Sequence, residues 1–297
     1  MANKAIISVI MSVYNNESFL SLAIESVLDQ TFREFELLIT DDASTDASYQ
    51  IIQDYAKLDE RIVFQRNQKN IGLTKNLNKM LSLAEGNYVA RMDSDDICDP
   101  KRFEKQLEVF IKYPKIDVIF TDTILIDSEG NTICKKWIPQ STHRILSLMP
   151  VYSYITHPSV MIRKETLMQY NGYNELYAVA QDWELWLRLI NNNRKFYYLQ
   201  DTLLYYRLHG NSVHLRRNNN KSNCIDKYEL AKTCIRNNQY RSALRYWSAL
   251  TGSEKILILI RIFIPSIVPR WYSYLLRRYH PYSVTKQLHQ QGLIDKD

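Results

Sequence analysis

Three aspartates stand within four residues directly after a short apolar segment. The segment, residues 88–92, follows turn residues and has the length and composition of a buried strand. Asp93, Asp95 and Asp96 come next, where ligands bind in open α/β sheets, beyond the carboxyl ends of the strands. Since side chains two apart on an extended chain point the same way, Asp93 and Asp95 can converge on one point. Two such carboxylates are typical ligands for Mg²⁺ or Mn²⁺, which in turn bind phosphate oxygens.

Two other interpretations of this acidic segment stand beside a metal site. A solvated turn could cap the helix predicted from Pro100, since Asp, Ser and Asn are common in turns. A calcium loop of the EF-hand type is disfavoured, because its fifth position would be Ile97, which offers no side-chain oxygen. The residues alone therefore leave the metal site and the acidic turn open.

The elements that would position these carboxylates alternate between strand and helix. Apolar, β-branched segments predict strands, and segments with one apolar face predict helices. Strands are predicted at residues 5–13, 35–40, 61–66 and 88–92, and helices at 17–30, 47–58 and 73–84. This alternation predicts an α/β fold with a parallel sheet and right-handed crossovers. No Gly-x-Gly-x-x-Gly follows the first strand, which disfavours a dinucleotide-binding dehydrogenase.

The second half of the chain predicts a less regular continuation of the sheet. Ser128-Glu-Gly-Asn131 has the composition of a turn between two hairpin strands. Strands are predicted at residues 116–120, 123–127, 132–137, 159–163 and 203–208, and helices at 100–113 and 182–190.

Bulk composition is that of a globular protein with a real core. The chain has 297 residues, of which 45% are hydrophobic. Its four cysteines form no Cys-x-x-Cys pair, so neither a disulfide framework nor a zinc site is expected. The N-terminus leads straight into a strand-like segment without a signal-peptide cleavage pattern. We therefore expect a cytoplasmic protein.

Charge divides the chain into two parts. Residues 216–297 contain 15 Lys and Arg against 5 Asp and Glu, a net +10, while residues 1–215 carry −4 of the total +6. A basic segment suggests an anionic partner, either a membrane surface or a nucleic acid. No groove-reading motif is present, so no nucleic-acid partner is expected.

The basic tail also contains an apolar segment, residues 256–264. Arg261 interrupts it and Pro265 follows it, so it is too short to span a bilayer. Arg, Trp and Tyr come next in the chain, which favours a helix lying in the membrane interface. The alternative is a C-terminal helix packed on the domain with its Arg residues solvated.

Several motifs in order along the chain resemble the family 2 glycosyltransferases. The resemblance covers roughly residues 5–215 and implies an inverting, nucleotide-sugar-dependent enzyme of GT-A fold, with residues 216–297 as a separate helical region. The motifs are Ser8-Val-Ile-Met-Ser-Val-Tyr-Asn15, Gln30-Thr-Phe32, Glu36-Leu-Leu-Ile-Thr-Asp-Asp-Ala-Ser-Thr-Asp46, Asn70-Ile-Gly72, Asp93-Ser-Asp-Asp96, Gln181-Asp-Trp-Glu-Leu-Trp186 and Tyr206-Arg-Leu-His-Gly-Asn-Ser212.

The resemblance assigns the donor nucleotide to the ends of the first two strands. Ser12, Tyr14 and Asp42 take these positions. A carboxylate accepts a hydrogen bond from uracil N3–H, and a tyrosine ring can stack on the base. For Asp42 the alternative is a helix cap. The family often has Gly where this chain has Ala43.

The resemblance also assigns the cation and the donor sugar. Asp95 is expected to bind the metal directly, and Asp93 to serve the donor ribose or sugar as well as the metal. His209 matches a further metal or diphosphate ligand of some relatives, and Arg207 is expected beside the donor. The alternative for His209 is an ordinary surface residue.

Asp182 matches the catalytic base of the family. Such a base takes the proton from the attacking acceptor hydroxyl, which contributes about 10²–10⁴ in rate. The alternative is a helix N-terminal carboxylate stabilised by the dipole. Trp183 and Trp186 could stack on acceptor sugars or lie in the core, and His157 is expected to be a buried structural residue.

The function expected from the sequence is transfer of a hexose from a UDP-sugar to a hydroxyl of a saccharide acceptor. The basic tail favours a lipid-linked acceptor at the cytoplasmic face of the inner membrane, as in bacterial O-antigen or capsule synthesis. A sugar-phosphate nucleotidyltransferase is one alternative, but residues 14–17 lack its Gly-rich, basic phosphate loop. A non-catalytic nucleotide-sugar-binding protein is another, and the filled acidic positions disfavour it.

Deleting the chain after Arg216 is expected to release the protein from membranes, because the deleted part carries the basic and aromatic residues. Sedimentation of both forms with anionic vesicles measures this. Equal pelleting of the truncated form would contradict the interfacial helix.

Overall fold

Apolar, β-branched segments form the four strands in the first half of the chain. The computed structural model describes residues 5–149 and 153–209. The strands pair in parallel in the order β3-β2-β1-β4, which confirms the predicted parallel arrangement. The elements are β1 (Ile7–Val13), α1 (Glu17–Leu28), β2 (Phe35–Asp41), α2 (Ser48–Leu58), β3 (Ile62–Arg66), α3 (Leu73–Leu83) and β4 (Tyr88–Arg91).

The central strand β1 is apolar along almost its whole length because helices cover both faces of the sheet. Val9, Met11 and Val13 pack with the apolar side of α1, and Ile10 packs on the opposite face with α3. Each such side chain is fully buried. Burying one of them contributes about 1.5–3 kcal/mol to folding.

The second half of the chain extends the same sheet. Its order continues β4-β8-β6-β9-β5, with β8 antiparallel to both neighbours and β6 parallel to β9. Strand β7 forms the predicted hairpin with β6. The sheet is therefore mixed and mostly parallel, with flanking helices. The remaining elements are β5 (Ile97–Cys98), α4 (Arg102–Lys112), β6 (Val118–Ile126), β7 (Thr132–Lys135), α5 (Thr142–Leu148), a 3₁₀ turn (His157–Ser159), β8 (Met161–Arg163), α6 (Lys164–Gln169), α7 (Gln181–Asn191) and β9 (Phe196–Arg207).

Two predictions for this half were wrong in extent. The strands predicted at 116–120 and 123–127 are one strand, β6, because polar Thr121 and Asp122 are buried and pair with β9. Strand β9 begins at Phe196 instead of Leu203. Helices α5 and α6 were not predicted, since helices this short depend on tertiary packing for their stability.

The predicted division at residue 215 and the basic tail lie outside the described residues, so both stay predictions. Within residues 5–149 and 153–209, none of the helices has the length and apolar character needed to cross a membrane.

Gly86 lets the turn before β4 touch the backbone of β1. A Cβ there would lie 2.6 Å from Ser8 N and 2.7 Å from the Ile7 carbonyl carbon. The Gly86 N–H also donates to Ser8 Oγ at 2.8 Å.

Gly86→Ala is expected to lower the free energy of unfolding by about 1–3 kcal/mol, because backbone atoms must shift to admit the methyl group. Urea unfolding measures this, with exposed Ser82→Ala on α3 as the matched control. Equal stability of the two variants would contradict the close approach.

Candidate active site

The carboxyl ends of β1, β2 and β4 lie side by side at one edge of the sheet, because the three strands are parallel neighbours. Val13 at the end of β1 pairs with Asp41 at the end of β2. Asn16 after β1 donates its side-chain amide to Ser94 Oγ at 2.8 Å, which ties the β1 loop to the acidic loop after β4. The edge therefore collects the predicted residues Ser12, Tyr14, Asp42, Asp93 and Asp95.

The end of β1 presents one exposed ring and one anchored hydroxyl. The Tyr14 side chain is 43% exposed. Ser12 Oγ accepts a hydrogen bond of 3.1 Å from the side-chain amide of Asn76 on α3. Asn76 in turn accepts from the Asn67 amide at 2.7 Å. A buried amide chain thus connects β1, α3 and the loop after β3.

The Asp42 carboxylate organises the loop between β3 and α3. It accepts from the Asn67 side-chain amide at 2.8 Å and from the Ile71 and Gly72 N–H groups at 2.9 Å each. Helix α2, which follows Asp42 in the chain, begins without a side-chain cap, so Asp42 does not cap it. A carboxylate offers about four acceptor positions, and three donors leave one for a ligand. The uracil contact of Asp42 stays a prediction.

Three carboxylates crowd together after β4. One oxygen from each of Asp93, Asp95 and Asp96 lies within 4.8 Å of the others. Burial raises the pKa of Asp96 well above its usual value, and the negative charges of Asp95 and Asp93 add to the effect. Asp96 Oδ2 is buried and has no hydrogen-bond partner among the described residues.

Two different groups hold the outer carboxylates of this cluster. Asp93 forms an ion pair with the buried guanidinium of Arg91. Asp95 Oδ2 lies 2.9 Å from His209 Nε2, and the His209 ring packs on Phe19 with centroids 4.6 Å apart. The structure therefore brings His209 to the acidic cluster across more than a hundred residues of sequence.

The chemistry of this cluster fits a divalent cation. Carboxylate oxygens are the ligands that Mg²⁺ and Mn²⁺ prefer. A cation would give the buried Asp96 Oδ2 a partner and would relieve the repulsion that raises the pKa of Asp96. Sequence reasoning named Asp93, Asp95 and His209 as ligands, and the structure adds Asp96 to the candidate group.

The prediction for Arg207 requires correction. Its side chain is 2% exposed, and its guanidinium donates to the backbone carbonyls of Asp95, Asp127 and Ser128 at 2.9–3.1 Å. Its backbone N–H donates to Asp96 Oδ1 at 2.8 Å. Arg207 therefore supports the acidic loop from behind instead of facing the donor.

Asp182 lies in the first turn of α7, where the helix dipole stabilises a carboxylate. Ala180 before the helix has a left-handed φ of 57°, which turns the chain sharply into α7. The preceding loop is tied to α3, because Thr74 Oγ1 donates to the Tyr177 carbonyl at 2.7 Å. Helix α3 also starts at the loop held by Asp42. One helix thus supports both the loop held by Asp42 and the loop that leads to Asp182.

Buried Tyr173 is affected by the charges of both Asp182 and the acidic cluster. Burial raises the pKa of its phenol, the charge of Arg91 opposes this, and the charges of Asp182 and Asp93 add to it. Its hydroxyl lies 2.9 Å from His157 Nε2. Burial and then the charge of Arg91 hold the pKa of His157 well below its usual value, so the imidazole is neutral.

The two tryptophans of α7 have different environments. Trp186 is fully buried and makes edge contacts with His157 and Phe196. It therefore belongs to the core, and its prediction as an acceptor residue is wrong. Trp183 is half-buried, and its Nε1–H donates to the Met149 carbonyl at 2.7 Å. Its stacking on an acceptor stays a prediction.

Sequence reasoning missed the contribution of Arg91 and Tyr173 to this site. His157 is buried, as predicted, but it also belongs to this polar group. The sequence gives one indication that Arg91 is a buried cation, because it is a charged residue inside an apolar strand segment.

Solved structures with the same architecture confirm the GT-A fold. Staphylococcus aureus TarS, residues 1–349, in complex with UDP-GlcNAc superposes with a TM-score of 0.60 and 24% identity, over 76% of this chain and 64% of that one. The mannosyltransferase PcManGT from Pyrobaculum calidifontis, in complex with GDP-Man and Mn²⁺, gives a TM-score of 0.58 and 13% identity over 97% of this chain and 84% of that one.

Sequence comparison identifies the family. The sequence profile of glycosyl transferase family 2 matches residues 8–170, which is more than half of the chain. The O-antigen biosynthesis glycosyltransferase WbnJ of Escherichia coli is 30% identical over 236 residues, 77% of this chain and 87% of that protein. Since profile, relative and fold agree, the chain belongs to glycosyl transferase family 2.

Proposed function

We propose that this glycosyltransferase moves a hexose, with inversion, from a UDP-sugar to a hydroxyl of a saccharide acceptor. The observation that carries the proposal is the common neighbourhood of the acidic cluster and Asp182. Helix α3 links the two regions, because the Gly72 N–H at its start donates to Asp42 at 2.9 Å and Thr74 Oγ1 donates to the Tyr177 carbonyl before α7 at 2.7 Å. The charges of Asp182, Asp93 and Arg91 also all affect the pKa of buried Tyr173. A diphosphate held at the cluster would thus present its sugar near a candidate base.

The nucleotide half of the proposal rests on the ends of β1 and β2. Tyr14 offers an exposed ring for stacking on a base. Asp42 offers one remaining acceptor position for uracil N3–H, and its orientation is fixed by Asn67 and two backbone N–H groups. The UDP-GlcNAc bound by TarS, which has the same fold, supports a uridine nucleotide as donor.

The metal half of the proposal rests on the acidic cluster. Asp95 and Asp96 would hold the cation, with Asp93 beside it and His209 in contact with Asp95. A bound divalent cation would neutralise the diphosphate and stabilise the leaving group. The Mn²⁺ in the PcManGT complex supports such an ion in this fold.

Asp182 would act as the general base. Its place at the start of α7 puts the carboxylate where the helix dipole favours a negative charge, and an ionised carboxylate accepts the proton of the acceptor hydroxyl. Trp183 on the same turn would border the acceptor. The acceptor oxygen then attacks the anomeric carbon from the side opposite the leaving diphosphate, which inverts the configuration.

The acceptor is proposed to be lipid-linked and to belong to bacterial surface polysaccharide synthesis. WbnJ is named for O-antigen biosynthesis, which supports this class of acceptor. The basic, aromatic residues 216–297 support action at the cytoplasmic face of the membrane.

A panel of UDP-sugars with and without Mn²⁺, read by UDP release, tests donor and metal together. One UDP-sugar is expected to turn over only with the metal, and Asp95→Ala is expected to remove the metal dependence of UDP binding. Asp54→Ala removes an exposed carboxylate on α2 and serves as the control. Turnover equal in EDTA, or an unchanged metal titration in Asp95→Ala, would contradict the metal site.

Asp182→Asn is expected to lower the transfer rate by about 10²–10⁴ while UDP binding persists, because the amide cannot accept the proton. Single-turnover transfer and UDP titration calorimetry measure the two effects. Asp201→Asn, an exposed carboxylate on β9, is the control. Normal transfer with weakened UDP binding would assign Asp182 to the nucleotide instead.

A further inference from the structure

Arg91 is a buried cation at the carboxyl end of β4. Its residue is 3% exposed, and its backbone is fully used by the sheet and by Arg102, which donates to the Arg91 carbonyl at 3.0 Å. Within residues 5–149 and 153–209, neither its Nε nor its Nη1 has a hydrogen-bond partner of good geometry, and the contact of Nη1 is an ion pair with Asp93. Burying a guanidinium is costly unless a partner compensates for the lost hydration. The side chain therefore needs an anion to explain its position.

That anion is Asp93, two residues further along the chain. Arg91 Nη1 pairs with Asp93 Oδ1. The pair gives the buried guanidinium of Arg91 a counter-ion. The Asp93 side chain is still 30% exposed, so a ligand in solution can reach it.

Asp95 is held in a different way. Its partner is the His209 imidazole, which carries a full charge only when protonated. Asp93 is instead paired with a guanidinium that is charged at every physiological pH. A carboxylate already neutralised by a buried cation is a weaker ligand for a metal than one that is not. The two aspartates are thus electrostatically unequal before any ligand arrives.

We propose that Arg91 is a positioning residue that acts through Asp93. It holds the Asp93 carboxylate for hydroxyl groups of the donor sugar and leaves coordination of the cation to Asp95 and Asp96. This assignment rests on the proposed function, and it adds a residue that never touches the donor.

The surroundings of Arg91 favour this single pairing. His157 is neutral, since burial and the Arg91 charge both lower its pKa. Tyr173 keeps its proton, because burial raises its pKa. The charge of Asp96 raises the pKa of Arg91 less than the charge of Asp93 does. Among the described residues, Asp93 is therefore the anion that fixes the guanidinium.

A double-mutant cycle tests the proposal with Arg91→Met, Asp93→Asn and the combined variant. Arg91→Met is expected to raise KM for the UDP-sugar about tenfold, as loss of a hydrogen bond to a charged group does, while Kd for UDP changes less than about twofold. The combined variant is expected to match Asp93→Asn alone, because Arg91 acts through that carboxylate. Defects that multiply in the combined variant would overturn the proposal.

Metal binding without a donor gives an independent measurement. Arg91→Met releases Asp93 from its cation, so Mn²⁺ affinity of the free protein, read by electron paramagnetic resonance, is expected to rise about three- to tenfold. Adding Asp93→Asn is expected to reverse the gain. An unchanged or lower affinity in Arg91→Met would overturn the proposal, even if no UDP-sugar proves to be a donor for the wild type.

Matched variants separate positioning from stability. Arg163→Met removes a guanidinium that bonds the Ile116 and Pro114 carbonyls outside the site, and it is expected to leave KM and Mn²⁺ affinity unchanged. Arg91→Lys keeps a charge and is expected to recover part of the donor KM. Should Arg91→Met fail to fold, Arg91→Lys carries the test, and a KM equal to wild type together with equal Mn²⁺ affinity would count against the proposal.

Discussion

Repulsion between like charges is the constraint around which this protein is arranged. Three carboxylates within 4.8 Å of one another cannot all stay ionised at a buried strand end without compensation. The fold supplies it partly from the adjoining strand and partly from a distant part of the chain. Arg91 arrives from β4 itself, while His209 and Arg207 arrive from the end of β9. The long strand β9 thus brings two of the compensating residues, Arg207 and His209, to the acidic loop.

The parallel half of the sheet brings many polar groups to one edge. Parallel neighbours end at the same edge, so each loop after β1, β2 and β4 begins beside the others. In the sheet, β4 is next to antiparallel β8. The 3₁₀ turn at His157 comes directly before β8 in the chain.

Much of this arrangement could be predicted from the sequence, for a physical reason. Buried parallel strands are continuous apolar segments, and β1 to β4 appeared with bounds close to those observed. The grouping of the acidic residues after β4 was predicted from their spacing, while the catalytic role of Asp182 stays a prediction. The roles of Arg91 and Arg207 could not be predicted, since a sequence does not show whether a cation faces a ligand or the backbone behind it. The acceptor prediction for Trp186 failed for a similar reason, because a tryptophan ring packs equally well in a core and against a sugar.

Helix α3 has a consequence for how this enzyme can diversify. At its start, the Gly72 N–H donates to Asp42. Within the helix, Asn76 donates to Ser12, and Thr74 donates to the carbonyl of Tyr177 in the loop that leads into α7. A substitution on the inner face of α3 would disturb both the loop held by Asp42 and the loop that leads into α7. A replacement loop before α7 that brings no backbone carbonyl to Thr74 would leave this buried hydroxyl without its acceptor, at a cost of about 1–3 kcal/mol.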